Sequence, residues 1–295
     1  MSSPGPFGMI VLAGGRAARL GGADKPGLVV GGRTLLAAVL AAGTGAGARP
    51  VIVVGPDRPA GPAGGGPPGG PGSGEPGAPR VVREEPPGAG PVPALRRGLA
   101  ELAALHGETG DAGLVAVLAA DLPFLRAADL RALLTAVAGQ DGAVLTDDDG
   151  RPQWLAGCWR TAVLRRAAGR YCGASLHGLL NPLNPVSVRI EPEPGEPPPW
   201  LDCDTEADLR RARGWVSGAL GRVTGDDDVA QRLTGHKAVH LLADEPRRLR
   251  VERRGAAGHV RADDHARAVP QRMIGRQRPV TRLVQGEELS WATAR

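Results

Sequence analysis

Through about residue 214 the chain alternates short apolar runs with longer segments of helical period, and this narrows its possible folds more than any other feature. Gly8–Leu12, Val51–Val54, Arg80–Arg83, Leu114–Leu118, Ala143–Thr146, Gln153–Trp159 and Val186–Ile190 read as strands. Arg33–Ala42, Val92–His106, Arg126–Ala138, Thr161–Ala168 and Ser175–Leu180 read as helices, and Thr205–Arg213 begins another, capped by Asp204. In the first helix Leu35, Leu36, Val39 and Leu40 share one face, and Gly43 stops it. The early strands are apolar throughout, as strands covered on both faces must be. With right-handed crossovers, this order predicts an α/β fold of three layers, doubly wound around a mostly parallel sheet.

Two regions fall outside that rhythm. Residues 55–79 hold 10 glycines and 8 prolines in 25 positions, too little apolar surface to bury, and are expected to form a flexible surface insert. After Trp215 the pattern dissolves, with weak helical periodicity only in Val229–Leu242. Residues 1–214 are therefore expected to form the domain, and residues 215–295 a basic, partly disordered extension. Removing residues 222–295 is expected to cost little activity. Charge follows the same division. Residues 1–214 carry 21 Lys+Arg against 21 Asp+Glu, whereas residues 215–295 carry 15 against 10 and supply the whole net charge of +5. The cluster Arg247–Arg254 lacks interleaved aromatics and reads as a solvated tail, not a nucleic-acid contact.

Cys158, Cys172 and Cys203 form no C-x-x-C pair and are odd in number, which argues against a disulfide framework. No apolar run reaches the ~18 residues of a membrane span. The first apolar stretch has no basic residues before it and runs into Gly14-Gly15, so it reads as a strand and not a signal peptide. A cytoplasmic protein without a membrane partner is expected. His236-x-x-x-His240 has no third ligand, and Asp147-Asp-Asp-Gly150 lacks calcium-loop spacing and reads as a hairpin turn. Cys203 lies between two acids, which raise its thiol pKa and argue against a nucleophile.

The chemistry concentrates in the segment after the first strand, Leu12-Ala-Gly-Gly-Arg-Ala-Ala-Arg-Leu-Gly-Gly-Ala-Asp-Lys25. In open α/β sheets ligands bind beyond the carboxyl ends of strands. Gly14, Gly15, Gly21 and Gly22 let backbone N–H groups approach phosphate oxygens, while Arg16, Arg19 and Lys25 bring cations to the same turn. The Walker pattern is excluded because Lys25 lies between Asp24 and Pro26, and G-x-G-x-x-G does not occur here. Asp121, at the end of the strand Leu114–Leu118, is placed to meet a magnesium ion shared with a triphosphate.

This loop closely resembles the signature of the molybdenum cofactor guanylyltransferases, the MobA-like branch of the nucleotidyltransferases. Gly88-Ala-Gly-Pro-Val-Pro-Ala94, Ala119-Ala-Asp-Leu-Pro-Phe124 and Asp202-Cys-Asp-Thr-Glu-Ala-Asp-Leu209 are similar to three later family segments, in the family's order. The resemblance covers roughly residues 8–213. It implies a nucleotide-diphospho-sugar transferase-like fold and transfer of GMP from GTP to the terminal phosphate of molybdopterin or its molybdenum form. It implies Mg2+ as cofactor, held by Asp121 and Asp204 with Asp202 the less favoured neighbour, and molybdoenzymes or their chaperones as possible partners. Leu12, Ala13, Gly14, Gly15, Lys25, Glu85 and Asp121 would bind nucleotide, with Arg19, Lys25 and Asp121 catalytic. Glu84 lies one residue from Glu85, so the two exchange roles on a single slip. Gln153 resembles a segment on the pterin side. Gly55 stands where the family often has a polar residue, and Pro93 and Ala94 depart from a commonly smaller or more flexible pair. Two other readings stay open: another nucleotide or acceptor, such as CTP and a cytidylyl product, and a binding protein without turnover.

Overall fold

The computed structural model describes residues 6–14, 24–56, 78–106, 113–224, 247–254 and 260–263. Its frame is one nine-stranded sheet. Strand β1 (Phe7–Leu12) pairs in parallel with β4 (Ala48–Val54) on one side and β6 (Leu114–Ala119) on the other. β5 (Arg80–Val82) continues the parallel run beyond β4. Beyond β6, the strand β8 (Pro152–Arg160) runs antiparallel and is followed by β7 (Gly142–Thr146) and β9 (Val186–Glu191), a parallel pair. A short hairpin of β2 (Val29–Val30) and β3 (Arg33–Thr34) stands apart.

Every residue of β1 is buried, and its side chains divide by period two. Phe7, Met9 and Val11 pack with α1 (Leu35–Gly45) and α3 (Ala127–Ala136); Ile10 and Leu12 pack with α2 (Pro91–His106), α4 (Thr161–Arg170) and α5 (Leu176–Leu180). Helices on both faces of a mostly parallel sheet make the expected doubly wound, three-layer architecture. Pro91 and Pro93 occupy the first turn of α2, where backbone N–H groups lack helical partners anyway, so both prolines are accommodated. Among the described residues no helix is long and apolar enough to cross a membrane. Asp147 caps its turn as expected: its Oδ1 accepts the N–H groups of Asp149 and Arg151 at 3.0 and 2.8 Å.

From Asp204 onward the structure differs from the expected pattern. The boundary at residue 214 falls inside α6 (Glu206–Thr224), which continues ten residues further. The cap of that helix is Thr205, not Asp204: Thr205 Oγ1 accepts the Asp208 N–H at 3.2 Å, and Asp208 Oδ2 accepts the Thr205 N–H at 2.9 Å. The C-terminal region also supplies two strands. β10 (Arg248–Arg254) pairs antiparallel with β9, and β11 (Val260–Asp263) pairs with β10. Leu249 and Val251 pack against the main core, and Arg247 is buried, so this part of the extension is not a solvated tail. Most of the insert 55–79, the segment Val229–Leu242 and both His236 and His240 lie outside the described residues.

Candidate active site

Four strand ends converge at one edge of the sheet. The ladder runs past the strands: Ala13 N–H donates to Val54 O at 2.8 Å, Ala120 N–H to Leu12 O at 3.1 Å, and Gly55 N–H to Val82 O at 2.9 Å. Ala13-Gly14, Gly55, Glu84 and Asp121 therefore follow their strands into neighbouring positions, where an open parallel sheet places its ligand. Gly15, Arg16 and Arg19 lie outside the described residues.

Three segments far apart in sequence meet beside that edge. Lys25 Nζ forms ion pairs with both Asp121 Oδ2 and Asp204 Oδ1. A small apolar cluster holds them there: Val30 and Leu35 from the β2–β3 region, Phe124 after Asp121, and Cys203, Leu209 and Ala212 around the start of α6. Lys25 opens a one-turn helix, Lys25–Gly27, whose Pro26 is buried; Leu28 N–H donates to Lys25 O at 3.1 Å. Its backbone is thus anchored and its four-carbon stem reaches into the acidic pair. With Thr205 serving as the cap of α6, Asp204 is left to face Lys25.

The electrostatics follow from crowding of acids around one cation. Burial pulls the Lys25 ammonium pKa down, but the charges and hydrogen bonds of Asp121 and Asp204 outweigh it and the net shift is upward. Asp202 is pushed up to about 6, by burial first and then by the charges of Asp204 and Asp121. Burial, followed by Asp121 and Asp202, pushes the Cys203 thiol up to about 12, so it is no nucleophile at neutral pH. Asp121 Oδ1 is buried without a hydrogen-bond partner. A hard divalent cation fits that observation, because an anionic oxygen aimed into a polar site and held by no donor is the type of ligand it takes.

The glutamate that faces the loop is Glu84, and Glu85 is exposed to solvent. Glu84 is 7% exposed, its Oε1 accepts the Gly88 N–H at 2.8 Å, and its Oε2 is buried without a partner. A Cβ on Gly14 would stand 3.7 Å from that carboxylate, so loop and acid share one space. The alternation of the third strand carried the signal: Val82 packs into the core, and two residues on Glu84 takes the same side. Gln153 lies at the start of β8, whose antiparallel course returns it to this edge, and its Nε2 donates to Asp147 Oδ2 at 3.1 Å.

Gly55 answers a steric demand that composition alone obscured. A Cβ there would lie 2.8 Å from the Ala13 carbonyl carbon and 3.1 Å from the Gly14 nitrogen. The backbones of the first two strand ends are in contact, leaving no room for a polar side chain. Gly55→Ala is expected to displace the loop and to cost about 1–3 kcal/mol, the usual range for overpacking, read as a lower denaturation midpoint in urea. A midpoint equal to that of the wild type would show that the loop yields freely.

The sequence model of the MobA-like NTP transferase domain matches residues 9–186, more than half of the chain. A comparison with the curated proteins found no match. Among solved structures, the chain is similar to a nucleotidyl transferase from Methanothermobacter thermautotroptrophicus (Mth528), with a TM-score of 0.51 and 20% identity over 70% of this chain and 96% of that one. It is similar also to Rv0371c from Mycobacterium tuberculosis H37Rv, with a TM-score of 0.51 and 22% identity over 70% of this chain and 97% of that one. At such identities the two structures speak to the fold.

Proposed function

The chain is a nucleotidyltransferase of the MobA-like NTP transferase family, and we propose that it transfers GMP from GTP to the terminal phosphate of molybdopterin or molybdenum-molybdopterin in the cytoplasm. The observation that supports this most is the meeting of Lys25, Asp121 and Asp204 at the strand ends beside Gly14. An oxygen of the acceptor phosphate forms a bond to the α-phosphorus of GTP, and the bond to the leaving pyrophosphate breaks. That oxygen is already anionic, so no general base is required.

The work of the protein is positioning and charge stabilisation. Backbone N–H groups of Gly14 and Gly15 would hold the phosphates, with Leu12 and Ala13, whose N–H is bonded to Val54 O, fixing their approach. Lys25 and Arg19 would meet the charge that builds on the triphosphate. Asp121 and Asp204 would hold a magnesium ion, with Asp202 beside them. The ion would neutralise phosphate charge and make pyrophosphate a better leaving group. Two carboxylates leave the remaining coordination to phosphate and water, as magnesium sites commonly do. Gln153 returns to the same edge and would face the acceptor.

Glu84 takes the nucleotide-holding role that the sequence assigned to Glu85. Its unpartnered Oε2 can accept from the ribose or from the N1–H and exocyclic amine of guanine. Hydrogen bonds to charged groups contribute about 1.5–3 kcal/mol, so Glu84→Gln is expected to raise KM for the nucleotide roughly ten- to a hundredfold. Glu85→Gln should leave KM unchanged. The reverse ranking would return the role to Glu85.

The reaction is tested by measuring pyrophosphate release with each nucleoside triphosphate, with and without molybdopterin. Release that requires both GTP and molybdopterin is the expected result. Faster release with CTP, or with another acceptor, would keep the enzyme class and replace the substrates. Nucleotide binding without pyrophosphate would identify a binding protein.

A further inference from the structure

Lys25 neutralises the two carboxylates, Asp121 and Asp204, that would hold a magnesium ion. Its ammonium contacts an oxygen of each carboxylate, so it already serves as their shared counter-ion. A dication held by these carboxylates, whether at the Lys25-bound oxygens or at the unpartnered Asp121 Oδ1, would meet the Lys25 charge close by, and repulsion there is strong because the Lys25 and Asp121 side chains are only 17% and 16% exposed.

We propose that Lys25 closes the metal position in the nucleotide-free protein, so that the divalent cation and the triphosphate enter as one unit. The triphosphate draws the ammonium off the carboxylates, and the cation that accompanies the phosphates replaces it. This rests on the nucleotidyl-transfer reading above and adds an order of binding to it. The geometry supplies the means. The Lys25 backbone is fixed by its one-turn helix and by the Leu28 N–H bond to Lys25 O, while the ammonium is a point charge on a flexible stem with three donors. It can exchange carboxylate for phosphate oxygens without moving the main chain. Asp204 is 51% exposed in its side chain, so the exchange opens toward solvent.

The test uses the full-length protein and manganese as the probe, followed by electron paramagnetic resonance of the free ion. Without nucleotide, wild-type protein is expected to bind Mn2+ weakly, and Lys25→Met to bind it about tenfold more tightly or better, because two close carboxylates lose their counter-ion. Lys25→Gln carries the same loss of charge should Lys25→Met not fold, as checked by circular dichroism. Lys25→Arg keeps a cation on the pair and should remain as weak as the wild type. Adding α,β-methylene GTP to the wild type should bring Mn2+ onto the protein, counted as protein-bound ion by equilibrium dialysis against the same nucleotide without protein. If nucleotide-free wild type binds Mn2+ as tightly as Lys25→Met or Lys25→Gln, the inference is overturned while the nucleotidyl-transfer reading stands. If no form binds Mn2+ even with the nucleotide analogue, the reading of the site fails and takes the inference with it.

Discussion

Lys25→Ala and Asp121→Ala should each reduce turnover by roughly a hundred- to a thousandfold or more, the usual loss when a preorganised electrostatic group is removed from a transition state. In the proposed reaction the two residues, paired with each other in the structure, serve one triphosphate, so their effects should not add. Without Lys25 the charge on the phosphates would be unmet; without Asp121 the cation shielding them would lose its buried ligand. The fold should survive both changes. Lys25 and Asp121 sit at the rim of the sheet, and the apolar contacts that gather the site belong to Val30, Leu35, Phe124, Cys203, Leu209 and Ala212. Circular dichroism should therefore be unchanged, and single-turnover rates should carry the whole effect. Wild-type rates in either variant would remove these residues from the mechanism.

Arg247→Ala should destabilise the protein by about 3–5 kcal/mol, the cost typical of leaving a buried charge without its partner. The side chains of Arg247 and Asp129 are each 2% exposed and lie 3.3 Å apart. Arg247 Nε also pairs with Glu196 at 3.1 Å, its Nη2 donates to Pro197 O at 3.1 Å, and Glu196 pairs in turn with Arg126 at 2.9 Å. Removing the guanidinium takes the Arg247 cation from the buried Asp129 carboxylate, which keeps the Arg126 N–H at 2.9 Å. For a domain of this size the midpoint should fall by about 10 °C or more. Combining Arg247→Leu with Asp129→Asn removes both charges and keeps an acceptor for Arg126, so it should recover most of the loss. Truncation before residue 247 should cost at least as much, because the pairing of β10 with β9 goes as well.

The same network gives a direction in pH. Burial raises the Glu196 carboxyl, but Arg126 and Arg247 outweigh it, so its pKa falls below the ordinary value of 4.5. A depressed carboxyl contributes stability above its unfolded pKa, and that contribution is lost as pH falls through the folded one. Acidification below about pH 4.5 should therefore narrow the gap between wild type and Arg247→Ala. A constant gap from pH 7 to pH 3 would place the stabilisation in packing instead.

The domain was legible because its strands are apolar on both faces and its helices keep their period; Gly8–Leu12, Leu114–Leu118 and Val186–Ile190 each lie within one or two residues of the observed strand. That Lys25 and Asp121 share one side of the sheet followed from the rule that parallel strand ends face one way; their ion pair did not. What escaped was carried by single side chains or by distant partners. Thr205-x-x-Asp208 is a capping-box spacing visible in the sequence, but Asp204, one residue earlier, is an equally good cap type. Glu84 and Glu85 are chemically alike, and only the pleat separates buried from exposed. Arg247 and β10 join the domain because β10 pairs with β9 and because Asp129 and Glu196, more than fifty residues away in sequence, form ion pairs with Arg247. Composition read alone made it a tail. No local pattern announces that Gly55 touches Ala13, since that contact arises only when β1 and β4 pair.

In the proposed reaction a nucleoside triphosphate lies between the glycine loop and the acidic pair at the strand ends. A crystal structure of the full chain with GTP and Mg2+ measures this most directly. Phosphates against Ala13 and Gly14, Lys25 Nζ moved from the carboxylates onto phosphate oxygen, and the metal on Asp121 are the expected result. Nucleotide density away from this edge, with Lys25 still paired to Asp121 and Asp204, would contradict it.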